Sequence, residues 1–138
     1  MKKTAKSKPE ASVSAKAPAD TSENKAVQSH FTAHARYVWY SPYKLRLLAD
    51  VVRGKDVNYA LQWLTTYRTR RAEPIKKTIE SAVANAKSLS NVDASTLTVK
   101  EIRIDQGPTH RYFKPSAMGR SMPLRKRLSH ISVILGTK

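Results

Sequence analysis

The sequence contains no cysteine. Disulfide frameworks, thiolate nucleophiles and cysteine-based metal sites are therefore excluded, and the composition fits a reducing compartment. No apolar run approaches the roughly 20 residues that a membrane-spanning helix needs, and the N-terminus lacks the apolar segment of a secretory signal. We therefore expect neither secretion nor membrane insertion.

Acidic residues are also scarce. Asp and Glu number 10 and Lys and Arg number 26 in 138 residues, for a net charge of +16. Charge of this density repels itself and favours a polyanionic partner, although a merely soluble, highly charged domain is the alternative. The few acids are dispersed, which argues against a two-metal carboxylate site. The four histidines form no HExxH pattern, and no glycine-rich phosphate loop is present. We expect no enzyme, no cofactor, no metal and no small-molecule substrate.

Large apolar side chains are almost missing from residues 1–29. Such a segment cannot bury enough surface to offset its ordering entropy, so it is predicted to be a disordered basic N-terminal extension. It either contacts RNA or is a solvated tail. Its net charge is +3, whereas the remainder has 20 basic and 7 acidic residues, or +13. Residues 30–138 are predicted to form a single globular domain that carries most of the charge.

The domain begins with a predicted strand over residues 31–40, followed by a helix that starts at Ser41 and Pro42 and stops before Gly54. Arg46 and Arg53 are expected together on the polar side of this helix, opposite its buried face. Asp56 is predicted to cap a short second helix, and a third helix is predicted from about Thr69 to Ser90. The expected apolar stripes comprise Leu45, Leu48, Ala49 and Val52; Val57, Ala60, Leu61 and Leu64; and Ala72, Ile75, Ile79, Ala82, Val83, Ala86 and Leu89.

Two further strands are predicted, at residues 97–105 and 128–135. In the first, the apolar alternation shifts by one residue, which indicates a β-bulge near Lys100 and Glu101. Residues 106–127 lie between them and contain six Lys and Arg and no acid. If both arms continue as strands, they form a hairpin that bends near Ser116 and reaches on the order of 30 Å. Cations and aromatics of this kind suit phosphates and unpaired bases, and a floppy basic loop is the alternative.

The sequence resembles the family of large-subunit ribosomal protein twenty-two over roughly residues 33–135. The resemblance is carried by ARYVWYSPYKLRLLADVVRGK at 35–55, IESAVANAKS at 79–88, VKEIRIDQGPT at 99–109 and GRSMPLRKRLSHISVIL at 119–135. It implies an α+β fold in which three helices pack on a small three-stranded antiparallel sheet, with a long projecting β-hairpin at 106–127. It also implies a bacterial-type structural protein of the large ribosomal subunit.

The resemblance further implies partners and sites. The partners are large-subunit ribosomal RNA, neighbouring ribosomal proteins and the nascent polypeptide, whose exit tunnel the hairpin lines. The setting is a cytoplasmic ribosome, with an organellar one as the alternative. The implied RNA-binding residues are Arg36, Lys44, Arg46, Arg53, Lys55, Arg111, Lys114, Arg120, Arg125, Lys126, Arg127 and His130. The implied hairpin tip comprises Tyr112, Phe113, Pro115, Ser116, Ala117, Met118 and Gly119. A basic nucleic-acid chaperone outside the ribosome is the competing hypothesis.

Overall fold

Three strands form one antiparallel sheet in this computed structural model, which describes residues 30–138. Strand β1 is Phe31–Val38, β2 is Leu97–Pro115 and β3 is Ser121–Thr137. Their order is β1-β3-β2, so β3 is central and pairs with both neighbours. The segment expected to be a disordered extension lies outside the described residues.

Three helices supply the second layer: α1 is Pro42–Val52, α2 is Val57–Thr66 and α3 is Ala72–Ser90. Helix α3 packs against β1 and β3, α1 packs against β2, and α2 packs on α3. The alternating residues Ile131, Val133 and Leu135 of β3 point into this layer and are fully buried. The predicted α+β fold with three helices on a three-stranded antiparallel sheet is confirmed.

The helix boundaries follow the expected signals with three differences. Pro42 occupies the first turn of α1, and Gly54 adopts a left-handed φ of 74° just after its end, as predicted. Asp56 stands at the N-cap of α2, but its carboxylate pairs with Lys138 at 3.0 Å and makes no capping hydrogen bond. Helix α3 starts at Ala72 rather than near Thr69. Leu89 was expected on its apolar face, yet it is 76% exposed in the last turn of the helix.

Strand β2 contains two irregularities in its pairing with β3, and at each of them the extra residue lies in β2. The first lies between Val99 and Glu101, where the shift in apolar alternation predicted a bulge. The second lies between Gln106 and Thr109, and the sequence pattern did not predict it. Each bulge switches which residues of β2 share the core face, because an inserted residue reverses the alternation. Beyond the second bulge, the odd-numbered residues of both strands therefore lie on the side that the helices cover.

Beyond the body, β2 and β3 continue as a two-stranded finger, defined here as residues 109–127. Its rungs run from Thr109 opposite Arg127 to Pro115 opposite Ser121. Every residue from 110 to 127 is exposed. At roughly 3.3 Å per residue, β2 rises about 20 Å from Thr109 to Pro115, and about 30 Å when the rise is counted from Gln106. A short 3-10 turn at Ala117–Gly119 closes the finger, and Ser116 donates its N–H to the Arg120 carbonyl at 2.7 Å.

Candidate RNA interface

The finger is a strip of cations without acidic partners. Six basic side chains project from it, and no acid occurs between Gln106 and Arg127. Within the part of the chain that the structure describes, none of these six forms an ion pair, whereas all five ion pairs found there lie in the body. The six are Arg111, Lys114, Arg120, Arg125, Lys126 and Arg127. Their charge is left for an external anion.

The two faces of the finger carry different chemistry. On one face Arg111 lies directly opposite Arg125, with Arg127 two residues further along β3. Like charges on opposing strand positions destabilise a hairpin, so this face is suited to a bound anion that relieves the repulsion. On the other face, Tyr112 lies opposite Leu124, and the Lys126 ammonium sits 5.1 Å from the centroid of the Tyr112 ring. We call the first surface the arginine face and the second the aromatic face.

The turn of the finger is less basic than its shaft. Met118 and Gly119 adopt left-handed φ values of 56° and 67°, and Met118 is 94% exposed. Ser116 and Ala117 complete the turn, whereas Pro115, also expected at the tip, pairs with Ser121 on the last rung of the ladder. Tyr112 and Phe113 were also expected at the tip, but they pair with Leu124 and Pro123 inside the ladder. That expectation is wrong, because the strands stay paired as far as Pro115.

In the body, Arg46 and Arg53 reach the free edge of β2. Arg46 donates through Nε and Nη2 to the Ile104 carbonyl at 3.3 and 3.1 Å, and Arg53 donates to the Ile102 carbonyl at 3.2 Å. The two arginines do lie together, but the prediction that they oppose the buried face of α1 is wrong. They flank Ala49, since residues three and four apart share one side of a helix. Unpaired edge carbonyls of β2 attract them there.

These arginines line an open cleft of about 360 Å³ between α1 and β2. Arg53 pairs with Asp50 at 2.9 Å, and Arg103 forms a two-pronged pair with Glu101. The hydrogen bond from Arg103 holds the pKa of the Glu101 carboxyl below its usual range. Among the described residues that line the cleft, Arg46 therefore has no acidic partner, and its guanidinium instead lies 5.5 Å from the Tyr43 ring centroid.

The remaining predicted contacts are spread around the body. Arg36, Lys44 and Lys55 are exposed and form no ion pair within residues 30–138. The loop that carries Lys55 is tied to β2, because Gly54 and Lys55 exchange backbone hydrogen bonds with Val99 at 2.9 Å each. His130 differs from the rest. Its Nδ1 accepts the Tyr37 N–H at 3.1 Å, so it packs within the protein.

Some basic and aromatic residues were missed by the sequence reading. The loop between α2 and α3 presents Arg68, Arg70 and Arg71, and the run YRTRRA would have indicated them by its density of arginine. Trp39 stacks on His110 with ring centroids 5.3 Å apart and planes 16° from parallel. No local pattern joins those two residues, because they are 71 positions apart along the chain.

Features of other site classes do not appear in the described region. No group of three or more His, Cys, Asp or Glu is arranged there to hold a metal. None of its helices combines the length and apolar character required to cross a membrane. The buried hydroxyl of Ser129 has no hydrogen-bond partner, but it lies inside the body at the base of the finger, where β3 pairs with both neighbours.

Comparison with known proteins identifies the class. Residues 33–136 match the family model described as Ribosomal protein L22p/L17e. The chain is 48% identical over 106 residues to "Large ribosomal subunit protein uL22" of Myxococcus xanthus, covering 75% of this chain and 93% of the relative. It is 47% identical to the proteins of the same name from Bdellovibrio bacteriovorus and Desulfitobacterium hafniense, each match covering 77% of this chain and 96% and 93% of the relatives.

These matches define the class as ribosomal proteins, which are structural components and not enzymes. The prediction that the chain has no catalytic role is thereby confirmed. Within that class, the chain belongs to the L22p/L17e family of the large ribosomal subunit, as its resemblance indicated.

Proposed function

We propose that this protein is a structural constituent of the large ribosomal subunit that binds large-subunit ribosomal RNA and supports assembly. The observation that carries the proposal is the arginine face, where Arg111 and Arg125 oppose each other with no acid nearby. A phosphate between or beside these guanidinium groups would offset their repulsion. The names of the relatives support the large subunit as the setting.

The RNA surface, in this proposal, has two parts. The finger contributes Arg111, Lys114, Arg120, Arg125, Lys126 and Arg127, and the body contributes Arg36, Lys44, Arg46, Arg53 and Lys55. The hydrogen bonds from Arg46 and Arg53 to β2 fix where their remaining N–H donors point, which reduces the entropy lost on binding. His130 contributes to the RNA surface indirectly, because its Nδ1 accepts a hydrogen bond from the Tyr37 N–H and so positions that residue.

We also propose that the finger lines the tunnel through which the nascent polypeptide leaves the ribosome. Its length of about 20 Å and its exposed, acid-free surface suit insertion into folded RNA. The turn around Met118 would then face the nascent chain, and neighbouring ribosomal proteins would contact the body. The setting would be the cytoplasmic ribosome, with an organellar ribosome as the alternative.

Affinity for a fragment of large-subunit RNA, measured at several salt concentrations, tests the RNA proposal. For about six to ten neutralised phosphates, binding should weaken roughly a thousandfold or more between 50 and 200 mM salt. A nearly flat salt response would contradict the proposal.

The tunnel is tested separately by placing a photo-crosslinking residue at Met118 in ribosomes that carry a stalled nascent chain. Crosslinks to the nascent chain are expected.

The competing function is a basic nucleic-acid chaperone that acts outside the ribosome, which the same unpaired cations would also allow. Sedimentation of ribosomes in high salt separates the two functions. An integral subunit component remains with the large particle, whereas a loosely bound chaperone is released.

A further inference from the structure

A row of rings and one cation runs along the aromatic face at the base of the finger. Trp39 stacks on His110, and His110 lies directly opposite Lys126 in the ladder. The Lys126 ammonium in turn lies over the Tyr112 ring, two residues from His110 on the same face. Trp39, His110, Tyr112 and Lys126 thus form one continuous surface, which we call the aromatic ledge.

Trp39 reaches the ledge because β1 ends irregularly. Pairing with β3 breaks between Ala35 and Val38, and Tyr37 takes a left-handed φ of 59°, which is costly for a bulky residue. The Tyr37 N–H bonds to His130, and the two rings meet edge to face at 4.9 Å. The chain after β1 is thereby held against β3, and the indole crosses β3 to meet a residue of β2.

The rings of the aromatic ledge are highly exposed. A ring stack that only stabilised the fold would be more deeply buried. Trp39 is 61% exposed and Tyr112 is 46% exposed, so much apolar ring surface meets water. The other tryptophan offers a contrast. Trp63 stacks on Tyr67 with centroids 5.0 Å apart, but it is half-buried and packs against the core. The Trp63 stack therefore helps to pack α2 against the core. The exposed ring surface of Trp39 contributes to no packing within the described chain.

We propose that the aromatic ledge is a stacking site for an unpaired base of single-stranded RNA. Exposed aromatic faces bind any base through its π-surface, and a neighbouring cation takes the adjoining phosphate. Lys126 supplies that cation, and the absence of acids in the finger disfavours a basic peptide as the occupant. This inference rests on the proposed RNA binding and adds a contact that reads bases rather than charge.

Fluorescence provides a direct test. In the 138-residue chain with Trp63→Phe, Trp39 is the only tryptophan and reports on its own surface. The probes are an oligoadenylate of about twelve nucleotides and an abasic ribose-phosphate oligomer of equal length. Both should bind through their phosphates, but only the oligoadenylate should quench Trp39. Equal quenching by both probes, or none by either, would overturn the stacking site.

Substitution provides the second test. Trp39→Leu should weaken oligoadenylate binding by about fivefold or more, while Trp39→Phe should keep most of the affinity. Neither change should alter the slope of affinity against salt or the binding of the abasic oligomer. Tyr59→Leu removes a comparably exposed ring on α2 and is the matched control, with no expected effect.

The other outcomes separate the two proposals. If the RNA fragment still binds with steep salt dependence but Trp39→Leu has no effect, the stacking site is wrong and the RNA-binding function stands. If no RNA binds in a salt-dependent manner, both are wrong. If Trp39→Leu spares oligoadenylate binding but abolishes binding of a neighbouring ribosomal protein, the ledge faces protein and the stacking site is wrong.

Discussion

In the body, Asp50 pairs with Arg53 and Glu101 pairs with Arg103, while in the finger Arg111 faces Arg125 with no acid between them. The apolar side chains differ in the same way. Ile79 of the body is fully buried, whereas Phe113 of the finger is largely exposed. We therefore expect the body to fold on its own interactions and the finger to be stabilised by another surface. The acids of the body thus neutralise some of its arginines, whereas the basic side chains of the finger have no such partners within the described chain.

Removal of the finger is the strongest test of the difference between body and finger. Residues 110–126 are deleted, and Thr109 is joined to Arg127 through an Asn-Gly turn, because those two residues already form a rung. Thermal unfolding should remain cooperative, since no core residue is lost. RNA affinity should fall sharply, and the salt slope should drop by about 0.9 for each phosphate contact removed. Loss of cooperative unfolding would show that the finger supports the core.

A truncation in the core should have the opposite outcome. Ile79→Ala removes a buried side chain of α3 and should lower the free energy of unfolding by about 2–5 kcal/mol. The matched change in the finger is Leu124→Ala, which should cost less than about 1 kcal/mol because that side chain is half exposed. Chemical denaturation measures both. Similar costs at the two positions would contradict the division between body and finger.

The two faces of the finger can be compared by removing charges. If phosphates contact the arginine face, the double change Arg125→Ala with Arg127→Ala should weaken RNA binding more than twice as much, in free energy, as Lys126→Ala. The reason is that Lys126 lies on the other face, over Tyr112. The salt slope should also flatten by about one unit per lost contact. Equal effects of all three single changes would rule out face-specific binding, though not RNA binding itself.

The smallest expected effect concerns an ion pair of the body. The Lys77 ammonium lies 2.7 Å from the Glu73 carboxylate, and this hydrogen bond lowers the pKa of Glu73 below its ordinary value. Glu73 therefore contributes stability above that ordinary value, and the contribution disappears as pH falls through the lowered pKa. Glu73→Gln should lower the melting temperature slightly at pH 7 and not at about pH 2.

A second set of variants, all carrying Lys77→Met, isolates the contribution of the Glu73–Lys77 pair. With Lys77→Met already present, Glu73→Gln should have a smaller effect, because only the N-terminus of α3 and the charge of Arg70 then favour the carboxylate. Calorimetry of the four variants at both pH values measures the coupling. An effect of equal size in both backgrounds would show that Lys77 does not contribute to the effect of Glu73.

Local patterns in the sequence were sufficient for the elements. The i, i+3, i+4 spacing located the three helices, Pro42 and Gly54 bounded the first, and the shift in alternation located the bulge near Glu101. These signals succeed because they depend on backbone geometry within a few residues. The same alternation rule also placed Arg125 and Arg127 on one face of the finger and Lys126 on the other.

The surfaces that side chains from different elements share depend on contacts between residues that are distant in the chain. Arg46 and Arg53 turn toward β2 because unpaired carbonyls lie at that edge, and Trp39 meets His110 because the end of β1 is held against β3. The bulge after Gln106 has no apolar residues around it to reveal a change of alternation, so only the pairing with β3 shows it. The helices, the strands and the charge of the finger follow from residue types and their local spacing. The arrangement of edge carbonyls, arginines and rings required contacts between distant residues, which depend on strand register and not on local periodicity.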